Sequence, residues 1–362
     1  MGTGESRPAR AYPGAPVLPW PDGAPAPDLP AGSAGIAVRV RTGQGDQPRW
    51  PKIYAVGVDD RPMWHGLGRM VVLTGPGEHL VEIRDRFGVA SMRRVRVADG
   101  QMARLEFWTP ATLGSAEGVL APEPVRHRIG AGPSNPVVFG FMAAGLIAMV
   151  FAGRAAPFVL AALAVPVLGY LVWARSKRRA DDRYRVAAST EAAEAGRDDA
   201  PGWFLGDGSP PDGLAGDHGV LVVTGALRRT LTINGHGVLD PTGEAGAWVP
   251  WPELTVAGTP RPFSWRTWCY RLPAGEHELV VTARPPRTSV TVPEIDAEPF
   301  VRTVTITAGA VTRVDLLVTA TVATRALTPA EVRRQAYLEA LGGDTPDGFT
   351  EPARFTARIT AA

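Results

Sequence analysis

The chain is poor in cysteine, in lysine and in charge of one sign. A single cysteine, Cys269, stands among 362 residues, so no internal disulfide can form and a stapled secreted scaffold is excluded. Lysine occurs twice, at Lys52 and Lys177, and the other basic side chains are arginine; with abundant alanine, glycine and proline this reads as genomic GC bias. Basic and acidic side chains number 38 and 36, and a net charge of +2 supplies no broad basic surface for nucleic acid. An apolar core is missing from 1–35, which carries eight prolines, so no secretory signal is expected there. Phosphate-binding glycine loops, a G-x-S-x-G elbow and metal-ligand spacings are absent, and no catalytic residue, cofactor site or metal site is expected.

Long apolar runs are present once. From Val137 to Ala174 the 38 residues hold one charge, Arg154. A single straight helix of that length would measure about 57 Å, nearly twice the roughly 30 Å of bilayer hydrocarbon. The Gly153 to Pro157 interruption divides it, and the expectation is a two-helix transmembrane hairpin over 136–174. Gly140, Ala144, Ala148 and Ala152 recur every four residues, a small-residue ridge suited to close helix approach and possible homo-oligomers. Arg175, Lys177, Arg178 and Arg179 follow the second span, which places both termini in the cytoplasm of a multi-pass membrane protein. An enclosed helical hairpin in a soluble core is the rival, and the length of the run argues against it.

Composition divides the rest. Residues 1–34, rich in proline and glycine, read as a disordered tail. Alternating apolar runs over 35–112 give a first β-sandwich module, 113–135 a linker, 175–217 a basic juxtamembrane segment and flexible spacer, and 218–323 a second module. Residues 324–362 read as a short C-terminal helix and tail, opened by the capping box Thr328-Pro329-Ala330-Glu331 and stopped at Gly342-Gly343. The fold class is thus mainly β with a transmembrane α-helical hairpin and two small β-sandwich domains.

The two β-regions repeat each other. Gly77–Ile83 matches Gly275–Val281, and Arg93–Phe107 aligns with Arg302–Leu316 without a gap. Ile53–Pro62 with its Asp59-Asp60 turn, then Gly77-Glu78-His79 just after Pro76, then a strand ending at Gly100, resembles the PEGA-type β-sandwich module of bacterial envelope-associated proteins. The second copy resembles it through Ile233-Asn234-Gly235, Leu272–His277 and Gly309, although the name-giving tetrapeptide is absent from both copies. The resemblance covers about 60 residues of the first copy and roughly 90 of the second. It implies a non-catalytic interaction or envelope module without a cofactor.

Individual side chains carry little chemistry. His79 and His277, at equivalent hairpin entries, read as structural; Asp59-Asp60 reads as a solvated turn, and Cys269, between Trp268 and Tyr270, as an inert buried thiol. Trp248, Trp251, Phe263, Trp265, Trp268 and Tyr270 fall within 23 residues. Core packing accounts for part of this cluster, and Trp248 and Trp251, on a proline-rich loop, are the candidates for a partner surface. The expected function is a membrane-anchored, non-catalytic scaffold that holds a protein partner on two cytoplasmic modules. The alternatives are an accessory subunit of a membrane transport or envelope enzyme complex, and a wall or glycan binder outside the cell.

Overall fold

The computed structural model describes residues 8–42, 54–86, 88–109, 118–125, scattered residues between 169 and 187, 202–206, 208, 217–238, 241–286, 292, 294–333 and 350–361. Period-two runs of valine, isoleucine and leucine form strands here because one face of each run buries against a second sheet. In the first module, β3 (Ala34–Thr42) lies between β6 (Gly68–Thr74) and β9 (Met102–Thr109), with β10 (Val119–Pro122) and β2 (Val17–Pro19) at the edges. The facing sheet runs β1 (Arg10–Ala11), β5 (Arg61–His65), β4 (Ala55–Val58), β7 (Gly77–Arg84), β8 (Val89–Val97). Ile36, Val38, Val56, Val72, Val81, Ile83 and Phe107 close the core between them.

The second module repeats the central strands of this topology and adds others. One sheet carries β11 (Trp203–Gly206), β16 (Arg266–Pro273), β12 (His218–Ile233), β20 (Val311–Ala326), β21 (Thr350–Ala361) and β18 (Glu294–Ala297), in that order, while β13 (His236–Gly237) pairs with β12. The other runs β15 (Thr259–Arg261), β14 (Glu253–Val256), β17 (Gly275–Thr282), β19 (Phe300–Ile306). Parallel β3 and β9 correspond to parallel β12 and β20, and the β4-β7-β8 ladder to β14-β17-β19. Registers agree to the residue: Gly77 opposes Val97 as Gly275 opposes Ile306. Gly100 donates its N–H to Ser33 at 3.0 Å, and Gly309 to His218 at 2.9 Å, both glycines having φ near +70° where a Cβ would strain the turn.

The structure corrects several expectations. The counterpart of the Asp59-Asp60 turn is Ala257-Gly258, not Asn234-Gly235: Asp59 N–H bonds Leu80 O at 2.9 Å and Ala257 N–H bonds Glu278 O at 2.8 Å. Asn234-Gly235 instead turns the β12–β13 hairpin. Within the expected tail, residues 8–34 are ordered. Trp20 is buried with the Arg69 guanidinium 4.3 Å from its ring, and Pro19 sits on an edge strand where its missing N–H costs nothing. The expected spacer contributes β11, and the expected C-terminal tail contributes β21, twelve residues along β20.

The transmembrane hairpin is also corrected. Among the described residues no helix is long and apolar enough to cross a membrane, and a helical span needs about 20 apolar residues in sequence. Most of 136–174, including Gly140, Ala144, Ala148 and Ala152, lies outside the described residues; Gly169 and Val172 are helical and exposed. The transmembrane hairpin and the multi-pass placement with cytoplasmic termini are thereby corrected, and the bilayer contact through 136–174 lies almost wholly outside the described residues.

The capping box is present. Thr328 N–H bonds Glu331 Oε2 at 2.8 Å, and Glu331 N–H bonds Thr328 Oγ1 at 3.3 Å. Side-chain bonds from Arg325, then bonds from Thr328, lower the Glu331 carboxyl to about 2. In Thr328→Ala, which removes the hydroxyl bond and keeps the backbone one, the carboxyl is expected to titrate somewhat closer to the ordinary 4.5, as followed by NMR of its side chain; an unchanged titration would assign the effect to Arg325 and the backbone N–H of residue 328.

Candidate functional site at the module junction

The most concentrated set of buried charges lies where the two modules meet. Side chains alternate along β7, so Val81 and Ile83 enter the core of the first module while Leu80, Glu82 and Arg84 face outward. That outward face is not solvated: the Glu82 and Arg84 side chains are 0% exposed. The pair is bidentate, Arg84 Nη2 to Glu82 Oε1 at 2.8 Å and Nε to Oε2 at 3.1 Å. From the second module, Val249 O accepts Arg84 Nη1 at 2.6 Å, and the Trp248 ring stacks on the guanidinium with 3.6 Å between its centroid and Cζ. Cation–π attraction is strongest in such a desolvated setting.

Asp60 completes the set. It is 4% exposed and holds φ at +64° beside Asp59 at +50°, a conformation that asparagine and aspartate adopt more readily than other non-glycine residues. Its carboxylate accepts the Trp251 N–H at 2.8 Å and Arg284 Nη2 at 2.9 Å, while Arg284 Nε bonds Trp251 O at 2.8 Å. The solvated turn expected from sequence is thus half right. Asp59 is exposed and takes the His79 Nδ1 at 2.6 Å; Asp60 is a buried clamp on the second module.

Shape matches charge across the junction. A Cβ on Gly57 would overlap the Trp248 ring, and one on Gly88 would overlap the Leu227 carbonyl. Arg266 Nη2 bonds Val89 O at 2.9 Å and Ala90 O at 2.7 Å, and Arg229 Nη2 bonds Asp85 O at 2.9 Å. Met92 of the first module belongs to the apolar core of the second. Tyr12, whose hydroxyl donates to Thr242 O, covers Trp248 together with Ala55.

Trp248 is therefore 3% exposed and engaged within the chain, which corrects its expected place on an open surface. Trp251 is half-buried at the same junction. Cys269 is buried, and His79 and His277 occupy equivalent places, bonding Gly75 O at 3.0 Å and Pro273 O at 2.9 Å as hairpin latches. Glu82, Arg84 and Asp60 were missed by sequence reasoning; the available signal was a Glu-x-Arg on one face of β7 that the second copy replaces with Val280 and Thr282.

Burial raises the Glu82 carboxyl above its ordinary value of 4.5, with Arg84 drawing it down and Asp60 pushing it up. Folding then favours the protonated acid, so this contribution is fully present below the ordinary value and is lost as pH rises through the raised one. Urea unfolding of wild type and Glu82→Gln between about pH 4 and pH 7 is expected to show wild type losing stability relative to the variant across that window. Parallel profiles would contradict it. Chemically, a closed pair without exposed atoms can fix an orientation but gives a substrate no approach.

No family model matches this chain, and no curated protein matches it. Among solved structures it is similar to the Bacillus anthracis TIE protein at 10% identity and a TM-score of 0.16, with 80% of this chain and 35% of that chain covered. The chain thus spans about a third of that protein's length, and a score this low carries no argument about fold or function.

Proposed function

We propose that this protein is a non-catalytic interaction protein whose two PEGA-like β-modules, joined as one body, hold a protein partner. The supporting observation is the junction itself: Glu82, Arg84, Asp60, Arg284 and Trp248 fix one module against the other. A binding protein gains from such fixing, because a surface held in one geometry before contact loses less freedom on association.

Crosslinking of the native protein in its source cells, followed by mass spectrometry, tests this reading. The expected result is one polypeptide crosslinked reproducibly to the β-modules. A chain that yields no reproducible crosslink to another polypeptide overturns it.

A further inference from the structure

The repeat offers an internal comparison. The same outer sheet face occurs twice, and among the described residues the second module covers the first copy while none covers the second copy in the same way. In the first module the outer residues of β4, β7 and β8 are Ala55, Gly57, Leu80, Glu82, Arg84 and Met92, and the second module lies on them. By register their counterparts are Glu253, Thr255, Glu278, Val280, Thr282 and Val301. Met92 is 5% exposed and Val301 is 58% exposed.

The substitutions between the copies say what does not fit the second face. Trp248 approaches its sheet only because residue 57 is glycine; Thr255 stands in that place. Asp60, Glu82 and Arg84, which receive the aromatic loop, become Gly258, Val280 and Thr282. A second copy's tryptophan loop therefore meets neither the space nor the partners that it has in the first module.

Charge says what does fit. In the first module Glu78 is paired with Arg94 at 3.2 Å and lies across the ladder from Arg96. The second module keeps the acids as Glu276 and adds Glu278, but the arginines become Thr303 and Thr305. Both glutamates are exposed, and among the described residues neither meets a cation. Beside them Val280 and Val301 form a small apolar centre, and Val301 also borders a groove of about 680 Å3 where Asp296 and Glu298 are balanced in part by Arg358, so the uncompensated charge lies with Glu276 and Glu278. Two copies of this face would bring like charges together, which disfavours self-pairing.

We propose that the outer face of β14, β17 and β19 is a docking surface for an arginine-bearing protein segment. Partner arginines replace the missing Arg94 and Arg96 counterparts at Glu276 and Glu278, and β-branched or aliphatic partner side chains cover Val280 and Val301. The proposal rests on the interaction reading above and assigns that reading a surface and a partner chemistry.

The probe is a synthetic 13-residue peptide of alternating arginine and valine, with a glutamate-for-arginine twin, titrated against the full-length protein by fluorescence anisotropy. The arginine peptide is expected to bind and to weaken as salt rises. Glu276→Gln with Glu278→Gln should raise its Kd about fivefold or more. Val301→Asp should alter binding and Asp315→Asn, on the other sheet, should not. Equal binding of the twin, or an unchanged Kd in the double variant, overturns the proposal. Concentration-dependent dimerisation lost in Val301→Asp puts a second copy on this face and overturns it as well.

Photo-crosslinking in source cells separates this inference from the broader one. A crosslinker replacing Thr303 should capture an arginine-rich segment. Capture only from a crosslinker replacing Asp315, on the other sheet and away from that groove, overturns the assigned face and leaves the interaction reading standing; capture from neither overturns both.

Discussion

Arg84→Met is expected to destabilise the folded protein by about 3–5 kcal/mol, because it leaves Glu82 buried with its charge partner removed. The loss far exceeds the 0–1 kcal/mol typical of an exposed pair, since neither side chain of this pair reaches water. Arg84 also serves Val249 O and the Trp248 ring, so the effect should extend into the second module. Replacing both partners, Arg84→Met with Glu82→Gln, is expected to recover most of the loss, because a neutral buried pair lacks the uncompensated charge. Urea unfolding of the three proteins measures this. A single-variant loss under about 1 kcal/mol would show that the pair is solvated.

Trp248→Ala should cost a comparable amount, about 3–5 kcal/mol for truncation of a buried aromatic side chain. The ring fills the space above Gly57, lies under Tyr12 and caps the Arg84 guanidinium, so three contacts are lost together. Because Trp248 and Arg84 touch, the double variant should lose less than the sum of the single losses, with a coupling of at least about 0.5 kcal/mol. A residue on an open surface would behave differently. Its truncation would leave stability within about 0.5 kcal/mol and weaken only association.

These residues show where sequence reasoning reached and where it stopped. The repeat was legible because glycines at 77, 100, 275 and 309 mark turns with positive φ, and such turns admit few other residues. Gap-free alignment within each block, Gly77–Ile83 with Gly275–Val281 and Arg93–Phe107 with Arg302–Leu316, fixed the correspondence that the registers then display, although the second copy carries an insertion between the blocks. The equivalence of Asp59-Asp60 with Ala257-Gly258 was hidden because Ala257, at φ +50°, is not a residue that announces a left-handed turn, whereas Asn234-Gly235 announces one elsewhere. Strands β2, β11 and β21 were missed for a related reason. Their order comes from neighbours distant in sequence: β21 follows β20 after a long connection, and the proline-rich segment around Trp20 is held by Arg69.

The junction was less legible than the strands. Alternation along β7 puts Glu82 and Arg84 on the face opposite Val81 and Ile83, and the ordinary inference is that such charges face solvent. Only the arrival of residues 248–251 and 284, far along the chain, reverses that inference. Trp248 stood out as a contact residue, and its partner is the other half of the same chain.

Calorimetry of the full-length protein tests the central claim, that the junction makes one cooperative body of two modules. The structure predicts a single unfolding transition with equal calorimetric and van't Hoff enthalpies, and a shift of that whole transition to lower temperature in Arg84→Met. Two transitions in the wild type, with only one of them moved by Arg84→Met, would contradict it.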